Sequence, residues 1–546
     1  VTLQPGESRW VPVIISAADE GVLQAVNARG FLSWLLESQR YYRGMLGRLR
    51  TPAEPYLAEF YERSVMQGLQ CLAESGTGAI VGGSWGGYAT RLNWTKDIYH
   101  SALPFMTLDP ALGEKVIAWF DLHGVRPVRT ALRELPETKT LELPGGVSHS
   151  VGLSVAAPLL AGVLYDHTGD AGPFLRHPEW KANWARVLDA VLATRRDPDI
   201  WLVPTHFVSD GAVLADYHTG SNVCLWRALS GYARLLGEVW KDAPGAKRYG
   251  AAAAKVKAAL LEKTVVAGPA GRQFIEATWR DGRPPTMESD GEESDTTLMP
   301  YFGFLPYDDE AYLNYMQFSM SAANPRFTPE LGSLTWESSI PSTAPGYSKG
   351  LCAGLDRESL FGDQGFFTNL RRVTDADGCL WWWPYGSGAF TRSKPGRAAY
   401  LYVGKSGWSA SVNALLISSR FLGVSYDAPR REFRFAPLAA TGDFTWQDLP
   451  MGNEHFDVAY TRTPSGARAI INNRNEHALT LEATLPVAGL KPPFIVTVNG
   501  RPENGVRAVK SYGQDAIHVS CPVGARKTVE LEIDHATPAS TDVGAN

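Results

Sequence analysis

Lys405-Ser406-Gly407-Trp408-Ser409-Ala410-Ser411-Val412-Asn413-Ala414-Leu415-Leu416-Ile417-Ser418-Ser419-Arg420-Phe421-Leu422-Gly423-Val424 is the stretch at which the chain changes character. It reads as a final helix, over about 406–422, opened by a small polar cluster. Beyond about Asp427 the apolar period drops to two. Phe456-x-Val458-x-Tyr460, Leu479-x-Leu481-x-Ala483-x-Leu485, Ile517-x-Val519-x-Cys521 and Val529-x-Leu531-x-Ile533 alternate as half-buried strands do. Asn499-Gly500, after Phe494-Ile495-Val496-Thr497-Val498, signals a hairpin. The expectation is a small antiparallel β-sandwich over 427–535, with a flexible tail at 536–546.

Upstream, from about Ala17, the texture is helical. Leu57, Tyr61, Val65, Leu69 and Leu72 share one face, and Leu225, Leu229, Tyr232, Leu236 and Val239 do the same after Asn222. Further helices are expected near 18–46, 97–121, 150–167, 176–195, 246–263, 308–322 and 355–371, with one more opened by the acidic run at 288–295. Gly/Pro-rich polar loops separate them, several long enough to suggest function. At the start, Thr2-Leu3-Gln4-Pro5-Gly6-Glu7-Ser8 and then Trp10-Val11-Pro12-Val13-Ile14-Ile15 read as a turn and a strand. A lone strand is not stable. Residues 1–17 are therefore expected to pair with the C-terminal sheet or to follow a missing upstream segment.

The bulk numbers narrow the class. With 546 residues, 44% hydrophobic and 20% charged, the chain is expected to form two or three globular domains. A net charge of −5 with no long basic run argues against a nucleic-acid partner. No apolar run reaches the ~20 residues of a membrane helix. Cys71, Cys224, Cys352, Cys379 and Cys521 are odd in number, with no Cys-x-x-Cys pair. They argue against a zinc site or disulfide framework and lean toward a reducing, cytoplasmic setting. A secreted or periplasmic setting stays open, because the N-terminus lacks methionine. His149, His206 and His218 lack metal-ligand spacing, so no metal or cofactor is expected. The 17 Trp and 21 Tyr suit sugar rings, whose apolar faces stack on aromatics, as well as helical cores.

Five polar clusters sit just before expected helices: Trp94-Thr95-Lys96-Asp97, Ser148-His149-Ser150, Asp216-Tyr217-His218-Thr219, Glu292-Glu293-Ser294-Asp295 and Lys405-Ser406-Gly407-Trp408. Each alone reads as an N-cap. In a closed ring of paired helices, alternate helix starts face one end, and the five clusters would line one pocket with a positive field from the helix N-termini.

The acidic cluster belongs to Met287-Glu288-Ser289-Asp290-Gly291-Glu292-Glu293-Ser294-Asp295-Thr296-Thr297. Crowded carboxylates raise one another's pKa, which suits a general acid, whereas a helix N-terminus lowers it. Glu292 and Glu293 are the candidate acids. Asp295 is read as the helix cap, and Glu288 and Asp290 as solvated. Glu337, in Leu334-Thr335-Trp336-Glu337-Ser338-Ser339, is the candidate second carboxylate, ahead of Asp356 and Glu358, which flank Arg357. Trp85, Tyr88, Trp94 and Trp336 are expected as pocket lining, with Trp383 of the Trp381-Trp382-Trp383 run as a stacking wall.

Asn93-Trp94-Thr95-Lys96-Asp97-Ile98-Tyr99, Ser150-Val151-Gly152-Leu153-Ser154 through Tyr165-Asp166-His167-Thr168-Gly169-Asp170, and Gly407-Trp408-Ser409-Ala410-Ser411 through Val424 carry a family likeness. With a sandwich after the helices, they resemble the (α/α)6-barrel, six-hairpin glycosidases, which include glucoamylases, glycogen-debranching glucosidases, trehalases, α-rhamnosidases and disaccharide phosphorylases. The resemblance implies a mainly α fold, an (α/α)6 catalytic barrel over 18–426 followed by the sandwich, with residues 1–17 the remnant of a missing N-terminal sandwich domain. It implies a glycoside hydrolase, inverting and exo-acting on a small oligosaccharide or glycoside, with an α-glucoside-like substrate favoured. It also implies that Asp97 grips sugar hydroxyls, although Lys96 stands where Arg is usual and cannot form the same bidentate contact. His149, Asp216, His218, Asp356, Lys405 and Trp408 complete the expected substrate contacts. The sugar, the linkage and the oligomeric state are not legible. Three alternatives stand: a phosphorylase on the same barrel, an (α/α)-toroid polysaccharide lyase using Tyr217, His218 and Asn222, and a non-catalytic sugar-binding protein.

Overall fold

Residues 20–74, 80–82, 95–123, 151–204, 215–281, 287–289, 295–328, 333–335, 341–342, 370–371, 374, 407–463, 466–487, 493–503, 505–511 and 514–535 are described by a computed structural model. Helices form close to the bounds expected near 18–46, 150–167, 176–195, 246–263 and 308–322, whereas the stretch expected at 355–371 lies, but for its last two residues, outside the described residues. The stretch read as 97–121 is three helices, Thr95–Ala102, Phe105–Leu108 and Pro110–His123. They break at Pro104 and Pro110, where a proline lacks the N–H an interior helical residue must donate. Thr219–Glu238 and Ala243–Lys263 are the longest described helices and pack side by side. The final helix runs Gly407–Leu416 and widens into a π turn at Ile417–Phe421. Among the described residues no helix is long and apolar enough to cross a membrane.

One expected helix does not form. Residues 295–303 are hydrogen-bonded turns. Pro300 comes five residues in, Gly303 turns left-handed at φ 75°, and its N–H closes onto the Pro300 carbonyl at 2.9 Å. Asp295 therefore caps no helix.

Ala156–Thr168 crosses Thr219–Glu238 at close range. A Cβ built on Gly231 would lie 2.8 Å from the Gly162 Cα, a distance that backbone cannot yield. Beside this crossing Asp166 accepts from Arg227 Nη2 at 2.6 Å and Arg234 Nη1 at 2.5 Å. Gly231→Ala is expected to cost about 1–3 kcal/mol by forcing the helices apart. Gly250→Ala, where the nearest atom to a new Cβ is 3.9 Å away, is expected to gain roughly 0.5–1 kcal/mol from reduced chain entropy. Denaturant midpoints of the two variants check this.

Asp166 also predicts a pH response. Burial pushes its pKa up, but the two guanidiniums outweigh that and hold it below the usual value. A carboxylate whose pKa is lower folded than unfolded contributes stability above the unfolded value, about 3.9, and loses it as pH falls through the folded value. Wild type should therefore lose stability below about pH 4, and Asp166→Asn should show a flatter acid limb in Tm against pH.

The C-terminal part is a two-sheet β domain. One sheet orders Arg48–Arg50, Phe444–Met451, Glu454–Thr463, Gly466–Asn473, Thr528–His535, Phe494–Val498 and Arg501–Pro502. The other orders Val424–Asp427, Glu432–Phe435, Leu479–Pro486, Gln514–Val523 and Arg507–Ser511. Pairing is antiparallel except between Glu432–Phe435 and Leu479–Pro486. Phe433 meets Phe456 across the two sheets at 4.5 Å between ring centroids, and Phe435 meets Tyr460 at 5.8 Å. The hairpin expected at Asn499-Gly500 is present, joining Phe494–Val498 to Arg501–Pro502.

The first sheet takes its edge strand from far upstream. Leu49 pairs with Trp446, whose indole N–H donates to the Leu46 carbonyl at 2.9 Å and whose ring meets Tyr61 edge-on at 5.0 Å. The expected strand at 10–15 lies outside the described residues. Cys71, Cys224 and Cys521 are free and buried; Cys352 and Cys379 lie outside the described residues.

Candidate active site

Asp295 is the hub of the described part of the site. It is 3% exposed. Its Oδ1 accepts the Tyr99 hydroxyl and lies 2.9 Å from His100 Nε2, which donates to it. The Tyr99 hydroxyl is also 3.6 Å from Cys224 Sγ. A Cβ on Gly152 would lie 3.8 Å from the Tyr99 hydroxyl and 3.9 Å from Asp295 Oδ2. The His100 ring sits beside the Trp408 indole, with centroids 6.2 Å apart. Burial first, then the Asp295 charge and the Cys224 thiol, raise the Tyr99 pKa far above that of a free phenol, so it keeps its proton and donates it to Asp295.

These partners come from separate elements. Tyr99 and His100 lie on Thr95–Ala102, Gly152 on Val151–Ser154, Cys224 on Thr219–Glu238 and Trp408 on Gly407–Leu416. Each belongs to, or follows by at most five residues, one of the five polar clusters singled out in the sequence. The starts of four helices thus converge on one buried carboxylate.

The site residues expected from sequence fall into two groups. Trp85, Tyr88, Trp94, His149, Glu292, Glu293, Trp336, Glu337, Asp356, Trp383 and Lys405 lie outside the described residues. Asp97 is in the first turn of Thr95–Ala102. The remaining three are occupied structurally. Asp216 Oδ1 pairs with Arg196 at 3.2 Å, and its Oδ2 accepts the Arg280 backbone N–H at 2.8 Å. His218 is fully buried and caps Thr219–Glu238, its Nδ1 accepting the Ser221 N–H at 2.9 Å. Trp408 is 1% exposed, so it supports the site from within and offers no open face for a sugar.

Glu288 differs from the expectation of a solvated residue. It is 7% exposed, its Oε2 takes Arg326 Nε at 3.0 Å, and its Oε1 is buried without a partner. The neighbouring Ser289 N–H is held by Asn324 Oδ1 at 3.1 Å. The start of the acidic stretch is therefore clamped to the 318–326 segment. Sequence reading missed Tyr99, His100 and Glu288. Tyr99 closed a motif already singled out, but its partner lies 196 residues away. Among the described residues no group of acidic, His and Cys side chains could hold a metal ion.

No protein-family model matches the chain, and neither does any curated protein. Solved structures do. An α-L-rhamnosidase from Dictyoglumus thermophilum superposes with a TM-score of 0.55 at 13% identity, over 90% of this chain and 50% of that one. An α-L-rhamnosidase from Aspergillus terreus gives a TM-score of 0.50 at 12% identity, over 90% and 50%. A protein from the human microbiome assigned as a kojibiose phosphorylase gives 0.51 at 9% identity, over 94% and 67%. The likeness is one of fold. These are (α/α)6-barrel, glycosidase-type proteins, the group that the sequence motifs resemble. The chain spans about half the length of the rhamnosidases it matches.

Proposed function

We propose that the chain is a carbohydrate-active enzyme that cleaves a glycosidic bond in a small oligosaccharide or glycoside. The observation that carries this is the convergence of four helix starts on Asp295, each start carrying or adjoining a polar cluster rich in Asp, Glu, His or Trp. In a closed (α/α)6 barrel over 18–426 that convergence would gather the clusters at one mouth. Glu292 or Glu293 is the proposed acid that protonates the leaving oxygen, and Glu337 the proposed base that activates water. Inversion, with an exo mode on an α-glucoside-like substrate, is the stereochemical reading. Asp97, Trp85, Tyr88, Trp94, His149, Trp336, Asp356, Trp383 and Lys405 are the proposed sugar contacts.

The phosphorylase reading stays beside it, because one fold relative is assigned as a kojibiose phosphorylase. There phosphate takes the place of the base and water. The lyase reading is weakened. The Asn222 side chain is held by Val203 and His218 backbone groups at 2.9–3.1 Å, so it is not offered to a substrate.

Product analysis on a panel of disaccharides and nitrophenyl glycosides, with and without inorganic phosphate, tests the reading. Free sugar released without phosphate supports hydrolysis. A sugar phosphate formed only with phosphate replaces it by phosphorolysis. A product absorbing near 235 nm (the unsaturated uronate chromophore) from a uronate polymer, or binding without turnover on every glycoside, would overturn both.

A further inference from the structure

A cavity lies away from the Asp295 hub. It is a cleft of ≈ 680 Å³ between the helical part and the outer face of the five-stranded sheet, well within the size range of small-ligand sites. His167 and Ser418, which line it, lie at the opposite ends of the helical stretches that begin at Gly152 and Trp408. At a helical rise of 1.5 Å per residue the cleft is thus roughly 15–22 Å from the hub.

Its polar lining is sorted by chemistry. His167 Nδ1 lies 3.1 Å from the Tyr426 carbonyl, which can only accept, so Nδ1 carries the proton and Nε2 is left as an acceptor. Among the described residues that Nε2 has no hydrogen-bond partner, and the ring stacks on Tyr301 at 6.1 Å. Burial holds the His167 pKa below the usual value, which keeps the imidazole neutral. The Ser418 hydroxyl donates to the Ala414 and Leu415 carbonyls, both at 3.1 Å, and so it too presents lone pairs. The inner wall therefore asks a ligand for hydroxyl donors.

The sheet side asks for the opposite. Arg434, Arg507 and Lys510 line the cleft from the sheet, and Lys257, on Ala243–Lys263, donates to the Phe304 carbonyl at its rim; the one lining carboxylate is Asp308. Arg434 is paired with Glu432 and Lys510 with Asp515, whereas Arg507 has no ion pair among the described residues and stands beside His518 across the strand pair.

We propose that this inter-domain cleft is a second ligand site that binds a hydroxylated, sugar-sized anion of the sugar-phosphate or sugar-acid class. Its hydroxyls would meet His167 and Ser418, and its anionic group Arg507 and Arg434. The proposal is independent of which bond the hub cleaves.

Calorimetric titration of the full chain with glucose 6-phosphate, glucuronate, glucose and inorganic phosphate tests it. At least one of the two sugar anions should bind at one site, at least tenfold tighter than either glucose or phosphate. Arg434→Ala/Arg507→Ala should weaken that binding at least tenfold, with Tm and turnover of a neutral glycoside unchanged. His167→Phe, which keeps the ring stack, should weaken the sugar anion and not phosphate. No binding of either sugar anion at millimolar concentration, phosphate binding as tightly as the sugar anions, or binding unaltered in both variants would overturn it. Glucose 6-phosphate and glucuronate separate the two sources of the anion.

Discussion

Asp295→Ala is expected to lose about 2–5 kcal/mol of stability, since each buried donor left without its acceptor costs about 1–3 kcal/mol. The carboxylate is the acceptor for both the Tyr99 hydroxyl and His100 Nε2, and it is 3% exposed. Alanine takes that acceptor from two buried donors, and water cannot fully replace it. Asp295→Asn keeps the shape and one acceptor oxygen while losing the charge, and should cost about 1–3 kcal/mol. Tyr99→Phe removes one donor and leaves His100 in place, so it should cost less than Asp295→Ala. Chemical denaturation of the three single variants and the Tyr99→Phe/Asp295→Ala double variant reads the coupling. If Asp295→Ala shifts the denaturant midpoint no more than a surface substitution, the hub does not hold the helix starts together.

Glu337→Gln and one of Glu292→Gln and Glu293→Gln should each lower kcat by at least 10²–10⁴-fold, the usual contribution of a positioned acid or base. The third variant should retain near-full activity. Glutamine keeps the size and hydrogen-bonding edge of glutamate but can neither give nor take the proton, so the loss should fall on kcat with the fold intact by circular dichroism. The role split is read with an activated nitrophenyl leaving group. It rescues a missing acid, because nitrophenolate needs little protonation, and it does not rescue a missing base. Near-full activity in all three variants would remove these residues from catalysis. Loss in the Glu337 variant that disappears when phosphate is the acceptor would favour phosphorolysis.

Much of the fold was legible because its periods are strong. The switch from helical spacing to alternation, read after about Asp427, falls at the end of the first strand of the β domain, Val424–Asp427, and Asn499-Gly500 gives its hairpin. What was not legible depends on contacts distant in sequence. Nothing local marks Arg48–Arg50 as an edge strand, since its burial depends on Trp446. The acidic run followed by an apolar one read as a helix start, and Pro300 with Gly303 turned it into a folded turn. At the site, four of the five clusters read as helix starts precede or open helices, and the fifth, ending at Asp295, does not. The role of Asp295 was not legible, because its donors come from Thr95–Ala102, and Glu288 read as solvated because Arg326 is 38 residues away.

The edge strand Arg48–Arg50 sets an order on how the chain can mature. Its partner around Trp446 lies about 400 residues downstream, and synthesis at about 5–20 residues per second separates the two by roughly 20–80 s. Through that interval one apolar side chain, Leu49, and a row of unpaired backbone groups wait beside a growing helical body. An exposed strand is a template for pairing with another chain. The nascent protein is thus most open to mispairing before its C-terminal sheet emerges, and truncations that end upstream of Phe444 should be the ones that aggregate or recruit chaperones.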